Sequence, residues 1–263
     1  MDFEFKEKYD INDLIKIMNV LRSPDGCPWD REQTHKSIRS NLIEETYEAI
    51  EAIDTDNTSL LKEELGDVLL QVVFHSKMEE ELGTFDFSDV ADGICKKLIV
   101  RHPHIFSDLK LSTSDEVLEN WDKIKMKTKS QVSQSEAMNS ISRSLPTLMR
   151  SKKVQQKASK IGFDFKDVKD AMGKISEEYN ELKKAIDNET NDEIFDELGD
   201  LLFSVVNVSR ILKIDPDYAL SKSCDKFISR FTKAEKIIIE KGLDISKLSY
   251  QELDSIWSES KKV

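Results

Sequence analysis

Three cysteines, Cys27, Cys95 and Cys224, are scattered through 263 residues with no Cys-x-x-Cys pair. An odd number at such spacing argues against a disulfide framework and a cysteine zinc site, and suits a reducing compartment. The eight glycines form no Gly-rich phosphate loop, and the serines, histidines and aspartates give no recognisable nucleophilic triad. No apolar run is long enough to span a bilayer, and Met1-Asp2-Phe3-Glu4-Phe5 carries no basic or apolar signal region. Strand-like alternation of apolar and polar residues is also missing. These absences set the expectation of an all-α, soluble, cytoplasmic protein.

Positive charge is in short supply: 39 Lys and Arg face 51 Asp and Glu, for a net charge of −12. That balance argues against non-specific binding to nucleic acid and disfavours an anionic membrane surface.

What the chain has instead is acid in a pattern, written twice. Glu44-Glu45-Thr46-Tyr47-Glu48 is followed by Glu63-Glu64-Leu65-Gly66-Asp67, and Glu177-Glu178-Tyr179-Asn180-Glu181 by Asp196-Glu197-Leu198-Gly199-Asp200. Glu45 lies 19 residues before Glu64, and Glu178 lies 19 before Glu197. The residues beyond also correspond, Val68 to Val73 in one copy and Leu201 to Val206 in the other. Agreement of this length marks a duplicated unit.

On a helix, Glu44, Glu45, Glu48 and Glu51 fall on one side and Ile43, Tyr47, Ile50 and Ile53 on the other. Glu64 and Asp67 share one turn of the following helix, as Glu45 and Glu48 share one turn of the first. Packing the two helices antiparallel brings four carboxylates together, and their mutual repulsion calls for a cation. Oxygen-only ligands suit Mg²⁺ or Mn²⁺, ions that also hold substrate phosphates. Glu44, Glu51 and Glu63 read more simply as solvated surface. Lys97 and Arg101 share a helix face after the first acidic motif, and Lys226 and Arg230 repeat that spacing after the second. Either pair is an ordinary surface pair or a contact for phosphates, and the repetition favours the phosphates. His102 and His104 offer imidazole, which hard-cation sites rarely use.

These motifs, with Gly26-Cys27-Pro28-Trp29-Asp30, Arg101-His102-Pro103-His104 and Ile161-Gly162-Phe163-Asp164-Phe165 in order, resemble the MazG family of all-α nucleoside triphosphate pyrophosphohydrolases over nearly the whole chain. The resemblance implies two tandem MazG-like antiparallel helical bundles at 1–124 and 146–263, joined by a Ser-rich linker at 125–145. It implies a homodimer, and hydrolysis of NTPs and dNTPs between the α- and β-phosphates to monophosphate and pyrophosphate, as removal of aberrant nucleotides. Glu178, Glu181, Glu197 and Asp200 would hold Mg²⁺, with Glu45, Glu48, Glu64 and Asp67 as a second set. Glu177, Lys226 and Arg230 would act on the attacking water and the phosphates. Lys174, Glu178, Lys226, Arg230 and Trp257 would bind nucleotide, with Lys97 and Arg101 in the first half. One position departs: relatives carry Lys four residues before Glu197, where this chain has Glu193. A narrower enzyme acting on dUTP or a phosphoribosyl nucleotide, and a non-catalytic acidic scaffold, are the other readings.

Along the chain, apolar spacing and breakers place helices from Ile11, over 31–54, from Ser59 to Leu82, and from Asp89 to Arg101 with Ser88 as the N-cap. In the second half they place an acid helix from near Asp170 and a motif helix over 193–212.

Overall fold

The computed structural model describes residues 3–128, 133–188 and 191–261, and the chain divides into two compact units, 1–125 and 126–263. Among the described residues every regular element is helical, in agreement with the all-α tandem repeat.

The first unit runs α1 (Ile11–Leu21), α2 (Pro28–Glu32), α3 (Arg39–Asp54), α4 (Thr58–Glu81), α5 (Phe87–Arg101) and α6 (Pro103–Phe106), and α7 (Ser114–Thr128) spans its boundary at residue 125. α3 and α4 form its main hairpin, turned by Thr55 to Asn57. Asp56 adopts the left-handed conformation there (φ 52°), which Asp tolerates better than most residues. Asn57 caps α4 by accepting from the Leu60 amide. The core beside this hairpin is Met18, Ile38, Val73, Phe74 and Met78.

The break after α1 has a steric reason. A Cβ on Gly26 would lie 2.2 Å from the Leu21 carbonyl oxygen, so only glycine lets the chain turn back against the helix end. Arg22 secures that turn. Its guanidinium pairs with both carboxylate oxygens of Glu81 at 2.7 and 2.8 Å and donates to the Asp30 carbonyl. Gly26 to Asp30 therefore builds the corner that sends the chain toward the carboxylate helices.

Two boundaries differ from expectation. The acid helix begins at Arg39 rather than residue 31, because Thr34 and Ser37 exchange side-chain to backbone hydrogen bonds and hold 34–37 in a turn. The cap of α5 is Asp86, not Ser88: Asp86 accepts from the Asp89 amide while Asp89 accepts from that of Asp86. This is a capping box built from two aspartates.

The second unit runs α8 (Gln134–Asn139), α9 (Thr147–Ser159), α10 (Val168–Asp187), α11 (Asn191–Ile211), α12 (Pro216–Glu240), a 3₁₀ turn at Ile245–Lys247, and α13 (Tyr250–Ser260). α10 and α11 repeat the hairpin of α3 and α4, and α9 packs on α11. Residues 189–190, between α10 and α11, lie outside the described residues, as do 129–132 of the expected linker. The Ser-rich stretch is not uniformly extended. Ser133 caps α8, and Ala137 on that short helix is buried.

Candidate metal and nucleotide site

Each hairpin gathers carboxylates where its two helices face each other. Oxygens of Glu178, Glu197 and Asp200 lie within 4.8 Å of one another, as do those of Glu45, Glu48 and Glu64. The fourth acid of each set, Glu181 and Asp67, acts on the same group: repulsion from Glu181 helps to raise Glu197, and repulsion from Asp67 helps to raise Glu45 and Glu64. In all three the larger cause is burial, which disfavours the charged form. Glu178 and Glu64 are buried, at 4% and 7% exposure. Acids gathered at like charge, one of each set buried and with only oxygen to offer, fit a hard divalent cation.

The two sets differ in their counter-ion. Lys174 reaches Glu178 at 2.6 Å and Glu177 at 2.8 Å, and these bonds raise its own pKa. The position four residues before Glu45 is Asn41, which carries no charge. Lys174 thus stands among the acids where the resemblance implied a nucleotide contact. Glu177 is exposed and bound to that lysine.

The other expected residues stand on helices outside the two hairpins. Lys226 is exposed and Arg230 half-buried on α12. Trp257 on α13 packs beside Ile256 and stacks at a tilt on Phe227, 5.2 Å between ring centres. In the first unit, Lys97 is exposed on α5 and the Arg101 guanidinium lies 5.7 Å from the Trp121 ring.

What the sequence reading missed is a pocket. A cavity of about 720 Å³ opens beside the second carboxylate set, lined at one end by Lys174, Glu178 and Asp200. Met138, Val154, Phe163, Phe165 and Phe203 form apolar walls, and Gln155, Asp164, Asn207 and Arg210 supply polar groups. This is the size and character of a small-molecule site. Asp200, Phe203, Ser204, Asn207 and Arg210 recur at helical spacing, so one stripe of α11 runs from the carboxylate cluster to the pocket. The first unit differs at the matching position. Seven residues after Asp200 stands Asn207, but seven after Asp67 stands Phe74, buried in the core at 5% exposure. No helix of the described residues is long and apolar enough to cross a membrane.

The sequence model of the MazG nucleotide pyrophosphohydrolase domain matches the chain twice, over residues 33–106 and 166–234. A Thermotoga maritima protein named nucleoside triphosphate pyrophosphohydrolase/pyrophosphatase MazG is 45% identical, covering 95% of this chain and 94% of its own. An Escherichia coli nucleoside triphosphate pyrophosphohydrolase is 39% identical, covering 96% and 97%. The uncharacterised protein YabN of Bacillus subtilis is 41% identical over 97% of this chain and 52% of its own length.

Proposed function

The chain belongs to the MazG nucleotide pyrophosphohydrolase family, and from that premise we propose that its second unit carries the chemistry. It is a nucleoside triphosphate pyrophosphohydrolase, releasing monophosphate and pyrophosphate. The observation that carries the assignment to the second unit is the pocket that shares Glu178 and Asp200 with the carboxylate cluster. There, carboxylates that would hold a cation adjoin a cavity that a nucleoside would enter.

Glu178, Glu181, Glu197 and Asp200 are the ligand set, and Mg²⁺, or Mn²⁺ in its place, is the ion. Bound there, such an ion would supply Lewis-acid polarisation of phosphoryl oxygens and lower the pKa of a water. Glu177 orients or deprotonates that water once Lys174 turns from it to the phosphates. Lys226 and Arg230 neutralise charge growing on the phosphates, which requires α12 to present them toward the substrate. Trp257 offers a stacking face. The substrates are NTPs and dNTPs, and the enzyme works in the cytoplasm, without nucleic acid or membrane as partner.

Product identity tests this reading. Incubated with Mg²⁺ and triphosphates labelled at the α- and γ-positions, the protein is expected to give labelled monophosphate and labelled pyrophosphate. Diphosphate with orthophosphate would place the cut one bond away and overturn it.

The active form is a homodimer. Ile43, Tyr47, Ile50 and Ile53, the apolar side of α3, are exposed in the single chain, Tyr47 at 51% and Ile53 at 57%. An apolar helix side on a hairpin otherwise packed against its own unit needs a cover, and a second copy supplies it. Light scattering on the eluted protein should give twice the 30.3 kDa chain mass; a monomer at tens of micromolar would refute the dimer.

A further inference from the structure

Two amides in the pocket of the second unit have their orientations fixed by what they touch. Asn207 receives a hydrogen bond on Oδ1 from Arg210 Nε at 2.8 Å. An arginine can only donate, so the amide oxygen of Asn207 must face it and the NH₂ must face the other way. Arg210 is itself held by Asp164, which also accepts from the Phe165 amide at 2.8 Å. Gln155 is fixed in the opposite sense. Its Nε2 donates to the Phe203 carbonyl at 2.7 Å, an atom that can only accept, so Oε1 is the end left over. That oxygen is buried with no hydrogen-bond partner, on a side chain only 6% exposed. A buried acceptor without a partner costs free energy that a ligand donor recovers.

We propose that Asn207 and Gln155 are specificity-determining residues that read the nucleobase, and that they favour bases carrying a lactam edge. The proposal deepens the pyrophosphohydrolase reading and rests on it. Asn207 lies seven residues beyond Asp200 on α11, about 10 Å along the axis. A nucleotide with its phosphates at the carboxylates therefore lays its base beside Asn207. The free groups there are a donor, the Asn207 NH₂, and an acceptor, Gln155 Oε1. Guanine, hypoxanthine, uracil and thymine each present a carbonyl next to a ring N–H, which answers that pair. Because the donors of Arg210 lie beside Asn207, the register of this proposal sets the exocyclic group against Asn207 and the ring nitrogen against Gln155 Oε1; in that register adenine and cytosine put an amino group where the carbonyl belongs, so donor faces donor and acceptor faces acceptor. Arg210, which also lines the cavity, adds further donors and strengthens the bias. Sites that hydrogen-bond their substrate discriminate chiefly by the penalty on the wrong partner.

The test uses the full chain and has two arms. In the first, kcat/KM is measured for GTP, UTP, ATP and CTP with Mg²⁺. In the second, calorimetry gives Kd for GMP, UMP, AMP and CMP, which need no turnover. The wild-type protein is expected to favour G and U over A and C by about tenfold, the equivalent of one well-made hydrogen bond. Asn207→Asp keeps the contact with Arg210 but exchanges the donors for an acceptor, and should erase or invert that preference. Gln155→Met removes only the acceptor and should reduce it, which keeps the question answerable if Asn207→Asp fails to fold by circular dichroism. A uniform loss across all four bases would reduce both residues to structural roles, and an unchanged ranking would overturn the proposal. If no triphosphate yields pyrophosphate, the parent reading fails while the monophosphate arm still decides whether the amides read a base.

Discussion

Glu197→Gln is expected to lower kcat/KM for any triphosphate by two to three decades, and Glu64→Gln to leave it within about threefold. The first figure follows from the ligand set. Charge stabilisation by a bound cation contributes several kcal/mol to phosphoryl chemistry, and about 1.4 kcal/mol corresponds to each decade of rate. Glutamine keeps the shape of Glu197 but withdraws a charged ligand from between Glu178 and Asp200. Unfolding is an unconvincing source of such a loss, since the substitution relieves repulsion from Glu181, Glu178, Asp200 and Asp196 that the metal-free protein carries. The second figure follows from Phe74. It fills the core of the first unit at the position where α11 has Asn207, so the first carboxylate set has no polar counterpart there to receive a nucleoside. Steady-state assays on both variants, read as pyrophosphate released, separate the outcomes. Full activity in Glu197→Gln would remove the second cluster from the chemistry. Equal loss in Glu64→Gln would make the first unit catalytic or coupled.

The hairpins and their acids were legible because everything that makes them is local. Spacing of three and four puts carboxylates on one helix side, a separation of 19 residues with a polar turn between folds two helices back on each other, and duplication shows that the spacing matters. Where a rule of thumb met a local competitor, the reading slipped: Thr34 and Ser37 bond each other and delay α3, and Asp86 outcompetes Ser88 because Asp89 can answer it. The pocket was not legible at all. Gln155 and Asn207 stand on different helices, and what makes each of them informative is a bond to a third residue, Phe203 in one case and Arg210 in the other. Helix α8 is a similar case, since Ala137 is buried by neighbours and not by any pattern in a Ser-rich stretch. Lys174 lay within reach of sequence reasoning, because a lysine four residues before Glu178 on one helix pairs with it by geometry alone. It pairs with Glu177 and Glu178 in the structure, two carboxylates that balance its charge.

Divalent cations are expected to raise the melting temperature of this protein far more at pH 8 than at pH 5. Glu45, Glu64 and Glu197 are held above the ordinary glutamate value by burial first and neighbouring acids second. Below the unfolded pKa both states are protonated and these groups contribute no repulsion. As pH rises through the window between the unfolded value and the raised folded one, the folded protein keeps protons that the unfolded chain has released. Each group's relative stability is therefore lost across that window, and above it the repulsion is complete. A cation opposes that repulsion where the acids are ionised, and must displace protons where they are not. An ion at a hundred times its Kd stabilises by about 2.7 kcal/mol, roughly 10 °C for a unit of this size. Scanning calorimetry with Mg²⁺ or Mn²⁺ against EDTA, at constant ionic strength, reads the shift directly. Glu64→Gln should raise the metal-free melting temperature of the first unit and diminish its response to metal, because the same carboxylate is both the source of strain and a ligand. An equal shift from NaCl at matched ionic strength would reduce both clusters to screened surface charge, and an equal shift at the two pH values would detach metal binding from these glutamates. A larger shift at pH 8 that disappears from one unit with Glu64→Gln and from the other with Glu197→Gln would assign one ion site to each hairpin, leaving the pocket beside α11 as what separates the catalytic copy from its twin.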